Sequence, residues 1–296
     1  MKLAQPDADS YIPCPGRSEH EALSRTTHLC IAAHQDDIEV MAYHGIAECF
    51  GRADRGFAGV VVTNGAGSPR SGVYADYTDA EMQAVRRREQ RKAAFVGDYT
   101  IQLQLAHPSA AVKDPTHPAV QADLNEILRL CQPQVVYLHQ PADKHDTHLA
   151  VLAHSLAALR ALPPGRRPPR VLGCEVWRDL DWLCDSDKQA LDAGAYPNLA
   201  AALIGVFDSQ ISGGKRYDLA TAGRRLAHAT YHTSHQTDRH AGLSWAMDLT
   251  PLVQDPALSV PDFTNRFIQR FQADVDARLG KFFPAPARKR WRNPTR

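Results

Sequence analysis

Ile31-Ala32-Ala33-His34-Gln35-Asp36-Asp37-Ile38-Glu39 is an apolar run that ends abruptly in a histidine and two adjacent carboxylates. With Thr27-His28-Leu29-Cys30 before it, the run is short and free of Gly and Pro, which predicts a buried strand. The polar cluster then falls at the strand's carboxyl end. In an open parallel sheet, ligands bind in the crevice outside that edge. The remaining sequence is read for what completes the site.

Downstream, the pattern of a strand followed by a helix repeats. Ile38 to Phe50 has near-helical apolar spacing and meets Gly51, and Phe57–Thr63 is the second strand. Asn64 to Gly72 has neither a GxxxxGK[ST] nor a GxGxxG pattern, so it reads as a flexible lid rather than a phosphate loop. Thr78-Asp79-Ala80-Glu81 is a capping box opening a helix to about Gly97, with Arg86 a candidate substrate contact. Tyr99–Leu105 is the third strand, Pro118–Cys131 a helix, and Val135–Leu138 the fourth strand, ending in the cluster Gln140 to His148. A helix carrying Leu149, Leu152, Leu156 and Leu159 follows, then a Pro/Gly/Arg linker at 163–169 and a fifth strand to Trp177.

Units of this kind in series imply a doubly wound α/β sheet with right-handed crossovers. An order 3-2-1-4-5 makes strands one and four neighbours, so that their polar clusters face one crevice. Residues 1–24, with Pro6, Pro13, Pro15 and Gly16, read as an irregular N-terminal arm, 25–177 as the core, 178–285 as an α-rich C-terminal extension covering the carboxyl edge, and 286–296 as a basic tail.

At 296 residues, 44% hydrophobic and 23% charged, the composition is that of a soluble globular protein, and a net charge of +1 gives no ground for a nucleic-acid or membrane partner. The six cysteines form no CxxC pair and read as reduced core thiols. No stretch has the length of a signal peptide or membrane span, which places the chain in the cytoplasm as an expectation, with a homo-oligomer left open. His228, His232, His235 and His240 read as surface or hydrogen-bonded histidines, because no carboxylate accompanies them at a ligand spacing.

Catalytic zinc sites take three protein ligands and leave a position open. His34, Asp37 and His148 supply such a set, and the same donors suit Fe2+ or another divalent ion. Asp36 stands beside a ligand without being needed as one, and is placed to take a proton from water. His145, three residues before His148, can stabilise an oxyanion or protonate a leaving amine. Together these groups read as a hydrolase of an amide or ester. No GxSxG is present to indicate a nucleophilic serine.

Ala33-His34-Gln35-Asp36-Asp37-Ile38-Glu39 resembles the AHPDD motif, and Asp143-Lys144-His145-Asp146-Thr147-His148 the HxxH motif, of the LmbE-like (PIG-L) zinc-dependent N-deacetylases. Arg86-Arg87-Arg88-Glu89 is similar to that family's intervening RxxE helix. The resemblance implies a Rossmann-like three-layer sandwich and removal of an acyl, commonly acetyl, group from an N-acylated sugar or related small amine, often of the N-acetylglucosamine type. Carried over by motif, His34, Asp37 and His148 hold Zn2+, Asp36 is the general base, His145 the acid or oxyanion partner, and Arg86 a substrate contact. Gln35 replaces the family's proline, which should loosen the turn. His-Asp-Thr-His replaces His-Pro-Asp-His, so Asp146, or alternatively Asp143, is expected to be the supporting carboxylate behind His145. Other readings are a non-catalytic metal-containing metabolite-binding protein and a metal-dependent esterase.

Overall fold

Buried runs of apolar residues make the sheet. The computed structural model describes residues 1–283, so the basic tail at 286–296 lies outside the described residues. Its strands are β1 (Asp9–Tyr11), β2 (His28–Ala32), β3 (Phe57–Thr63), β4 (Ile101–His107), β5 (Val135–His139), β6 (Arg170–Cys174), β7 (Lys188–Asp192) and β8 (Leu243–Asp248). Every residue of β2, β3 and β4 is buried, as strands covered by helices on both faces must be. Alternate side chains feed two cores. Leu29, Ile31, Val60 and Leu103 belong to one, while Cys30, Ala32, Val61 and Tyr137 belong to the other.

The strand order is β1-β4-β3-β2-β5-β6-β8-β7, and the stretch β4-β3-β2-β5-β6 is parallel throughout. That stretch is the expected 3-2-1-4-5 order. It sets β2 beside β5, with Leu29 opposite Val136 and Cys30 opposite Tyr137. The carboxyl ends of the two strands that carry the polar clusters therefore adjoin.

Three elements depart from the sequence reading. Residues 1–24 are not an irregular arm. Asp9–Tyr11 pairs antiparallel with β4, and Ser18 caps a helix over Glu19–Ser24 through a capping box with Glu21. The strand is three residues long and anchored by a polar contact, Asp9 accepting from Arg91 Nε at 2.7 Å, so it shows no apolar alternation. The single helix expected over Ile38 to Phe50 is two, Asp37–Met41 and Tyr43–Cys49, broken where Ala42 leaves helical geometry (φ −116°, ψ 19°). Finally, the extension, α-rich as expected, also carries two strands that the sequence reading did not place. β8 pairs antiparallel with both β6 and β7, adding two strands to the sheet, while helices over Pro197–Gly205, Tyr217–Tyr231 and Val260–Phe282 supply its α-rich remainder.

The helix Tyr43–Cys49 approaches β5 closely at Gly45. A Cβ there would lie 2.5 Å from Tyr137 Cε2 and 2.8 Å from both Cζ and the hydroxyl, and Tyr137 is fully buried. Because the ring cannot withdraw, Gly45→Ala is expected to cost about 1–3 kcal/mol by overpacking. Calorimetric unfolding would read this as a lowered Tm, and an unchanged Tm would mean that this contact yields freely. Among the described residues, no helix is long and apolar enough to cross a membrane.

Candidate functional site

Beyond Ala32 the chain leaves the sheet edge and turns sharply into the helix Asp37–Met41. The turn is closed by the His34 backbone N–H, which donates to Asp37 Oδ2 at 2.8 Å. From the adjacent strand, the loop after His139 leads into a helix over Asp146–Ala161, whose first turn presents His148 inward. The structure thereby brings His34, Asp37 and His148 together. Asp37 Oδ2 lies 3.2 Å from His34 Nδ1 and 3.3 Å from His148 Nε2, and the two ring nitrogens are 3.3 Å apart.

This nearly equilateral triangle fits a metal ion. Ligands about 2.0 Å from a tetrahedral ion stand about 3.3 Å from one another. Two imidazole nitrogens and a carboxylate oxygen form a donor set suited to Zn2+ or another first-row divalent ion. Behind the triangle, Asp143 Oδ2 lies 3.3 Å from His148 Nδ1, the carboxylate–histidine support that fixes a ligand's tautomer. His139 stacks on His148 with ring centroids 3.9 Å apart, and its Nε2 accepts the Ala33 N–H at 2.9 Å. Burial alone would lower the pKa of His148, but the carboxylates of Asp37 and Asp143 outweigh it and lift the group to about 9.

Asp36 sits at the rim of the triangle in a backbone conformation that non-glycine residues rarely adopt, φ +85°. Two contacts hold it there. Its N–H donates to Gln90 Oε1 at 3.2 Å, and its Oδ2 accepts from Arg86 Nη2 at 2.8 Å. Burial pushes its carboxyl up to about 6, against the pull of Arg86 and with the push of Asp37. Gln35 is buried, its amide donating to Thr63 O at 3.4 Å and Gln104 Oε1 at 3.3 Å, so the residue in the proline position anchors the turn instead of loosening it.

The structure revises the expectations for Arg86 and Asp146. The Arg86 guanidinium is 1% exposed and committed to protein groups: Asp36, Glu89 Oε2 at 3.0 Å and the Gln35 carbonyl. Glu89 is in turn fixed by Ser209, whose N–H and hydroxyl donate at 2.7 and 2.8 Å. Arg86 touches the cavity, but its contacts orient Asp36 rather than leave a fork free for substrate. Asp146 is exposed at the start of its helix and supports neither histidine. Asp143 holds that place, reaching His148 through its side chain and His145 only through the backbone N–H at 3.1 Å. The His145 ring stacks on His148 with centroids 4.6 Å apart and meets His34 edge-on at 5.0 Å. Burial, reinforced by the neighbouring His148 and His34, lowers its pKa.

His34 and Asp37 of the triangle line a cavity of about 510 Å3, together with Asp36 and His145. The glycine loop contributes Gly65, Gly67 and Ser68 to its wall, and the C-terminal part contributes Gln210, Lys215, Tyr217 and Arg224. Trp177 stands beside His145, its ring nearly parallel at 6.3 Å between centroids. Of the histidines near the C-terminal helices, His228 is tied to buried Glu175 at 3.1 Å.

A mostly parallel, Rossmann-like α/β sheet with a His/Asp/His triangle at its carboxyl edge defines a class of α/β proteins with a candidate metal centre. Within it, residues 29–159 match the family model PIG-L, GlcNAc-PI de-N-acetylase. Among solved structures, N,N'-diacetylchitobiose deacetylase from Pyrococcus horikoshii is 16% identical, with a TM-score of 0.56 over 74% of this chain and 82% of that one. The conserved protein TT1542 from Thermus thermophilus is 18% identical, with a TM-score of 0.55 over 80% and 98%. GalB, the 4-carboxy-2-hydroxymuconate hydratase from Pseudomonas putida, is 17% identical, with a TM-score of 0.53 over 76% and 96%. At these identities the likeness is one of fold. No curated protein matches the chain.

Proposed function

We propose that this chain is a metal-dependent hydrolase that removes an acyl group, acetyl in the simplest case, from an N-acylated sugar or related small amine. The observation that carries the reading is the 3.2–3.3 Å triangle of His34, Asp37 and His148, with the Asp36 carboxylate at its rim. The PIG-L match and the name of the P. horikoshii deacetylase favour an amide substrate.

His34, Asp37 and His148 would hold a divalent ion, which would supply Lewis-acid polarisation and lower the pKa of water to about 7. Zn2+ suits the three ligands, and Fe2+ suits the same donors. Asp36 accepts the proton of the attacking water. With its proton affinity raised to about 6, it is a stronger base than an ordinary surface carboxylate while still ionised at neutral pH. Arg86 and Gln90 fix its position, so little reorganisation is needed at the moment of transfer. His145, lining the cavity and stacked on His148, stabilises the developing oxyanion, and the proton taken up by Asp36 passes to the departing nitrogen. The carbon–nitrogen bond breaks as water's oxygen joins the acyl carbon, leaving a carboxylic acid and a free amine.

Purified protein should contain about one metal per chain, as one three-ligand site requires. Incubation with a panel of N-acetylated sugars and amines should release free amine and acetate in equal amounts. Chelation should stop this release and Zn2+ or Fe2+ restore it. Release from acetyl esters but from no amide would overturn the amide assignment, and ligand binding with no acyl release in metal-loaded protein would overturn the enzyme.

A further inference from the structure

The wall of the cavity carries cations that neither the metal triangle nor Asp36 uses. Lys113 follows the short helix after β4, whereas Lys215 and Arg224 come from the C-terminal part, outside residues 29–159. None of the three forms an ion pair among the described residues. Arg224 is pinned by one hydrogen bond, Nη1 donating to the Val176 carbonyl at 2.6 Å, which sets its guanidinium beside the segment that carries Trp177. Lys215 Nζ stands 5.3 Å from the Trp177 ring centroid, and Tyr217 meets the same ring edge-on at 6.2 Å. Trp177 thus has Lys215 at 5.3 Å and His145 at 6.3 Å from its ring.

The carboxylates that line the cavity do not balance this charge. Asp36 is paired with Arg86, and Asp37 with the two histidines of the triangle. A bound divalent ion would add further positive charge at the triangle. Lys113, Lys215 and Arg224 therefore face the cavity uncompensated. Cations that serve only solubility are spread over the outer surface, whereas these three line one cavity, Lys215 beside the Trp177 ring.

We propose that Lys215 and Arg224, with Lys113 adding to the local field, form an anion-binding subsite, so that the preferred substrate is an N-acylated amine carrying a carboxylate or phosphate on the part remote from the acyl group. Trp177 offers the ring face over which the connecting part of such a molecule passes. This rests on the hydrolase reading above and deepens it by naming the class of substrate. It also gives the C-terminal part a role in selecting substrate.

Three probes separate the possibilities: neutral N-acetylglucosamine, N-acetylglucosamine 6-phosphate and the carboxylate-bearing N-acetylmuramic acid. Binding to metal-loaded wild-type protein is measured by titration calorimetry, and turnover by release of free amine. At low salt, at least one anionic probe should bind about tenfold tighter than the neutral one, as one or two charge-assisted hydrogen bonds allow. Whichever anion shows the gain is the one recognised. The gain should shrink as ionic strength rises. In K215Q/R224Q the anionic-to-neutral affinity ratio should fall towards one. Equal binding of all three probes by the wild type, or binding of none, overturns the subsite. So does a preference that survives in K215Q/R224Q, because the anion would then be held by groups other than these two. Charge-selective binding with no amine release sinks the hydrolase and leaves the subsite standing, whereas amine release with no charge preference does the reverse.

Discussion

Asp36→Asn should lower amide hydrolysis about 10²–10⁴-fold, the usual worth of a positioned general base, while the purified variant keeps its metal. Asparagine is the right probe here for two reasons. It is among the few residues that accept a positive φ, so the turn at +85° is kept, and its side-chain oxygen can still accept from Arg86. What it loses is the capacity to take a proton. Metal content and thermal unfolding measured on the same preparation separate the outcomes. An unimpaired rate would remove Asp36 from the chemistry, and a loss of rate accompanied by loss of metal would make it part of the metal site's support.

His148→Ala is expected to strip the metal and with it all turnover. It deletes one corner of a triangle whose other two corners, His34 and Asp37, belong to a single turn of chain. Asp143→Asn should be milder, with metal affinity down about 10–100-fold, the range typical of a ligand's outer partner. Metal analysis after dialysis against a graded series of chelator concentrations would order wild type, Asp143→Asn and His148→Ala. If His148→Ala retained stoichiometric metal with wild-type affinity, the ligand set would be misassigned. His139, stacked on His148 with Nε2 3.7 Å from Asp37 Oδ2, would then be the nearest replacement.

The parallel core was legible because strands buried on both faces are continuous apolar runs, and because Gly and Pro separate them from helices of a different period. The juxtaposition of β2 and β5 followed from topology alone, and with it the pairing of His34 and Asp37 with His148. What stayed hidden depended on side-chain reach. Asp146 looks like the partner of the histidines in sequence, yet it lies two residues before His148, a separation that puts side chains on different faces of a helix. Asp143 belongs to the turn before that helix, and only the folded loop brings its carboxylate under His148. A run of arginines such as 86–88 usually marks a solvated helix face. Arg86 nonetheless falls on the same face as Met82, Glu89, Gln90 and Ala93, a buried helix face with polar members whose partners lie at positions 35, 36 and 209. β7 escaped notice for the opposite reason. Lys188-Gln189-Ala190-Leu191-Asp192 is largely polar, as a strand at the sheet's edge can be.

The position of β8 bears on how chains of this kind can diversify. Leu172 faces Asp248 and Cys174 faces Ala246 across the β6–β8 ladder, while Leu243 to Met247 are matched on the other side by β7. A C-terminal part woven in this way is no cassette to be swapped between scaffolds. A slip of one residue in the graft would turn buried Trp245 to the opposite face of the sheet. New substrate preferences can therefore arise readily by point changes along the cavity wall, whereas exchange of the whole segment must carry its sheet register with it.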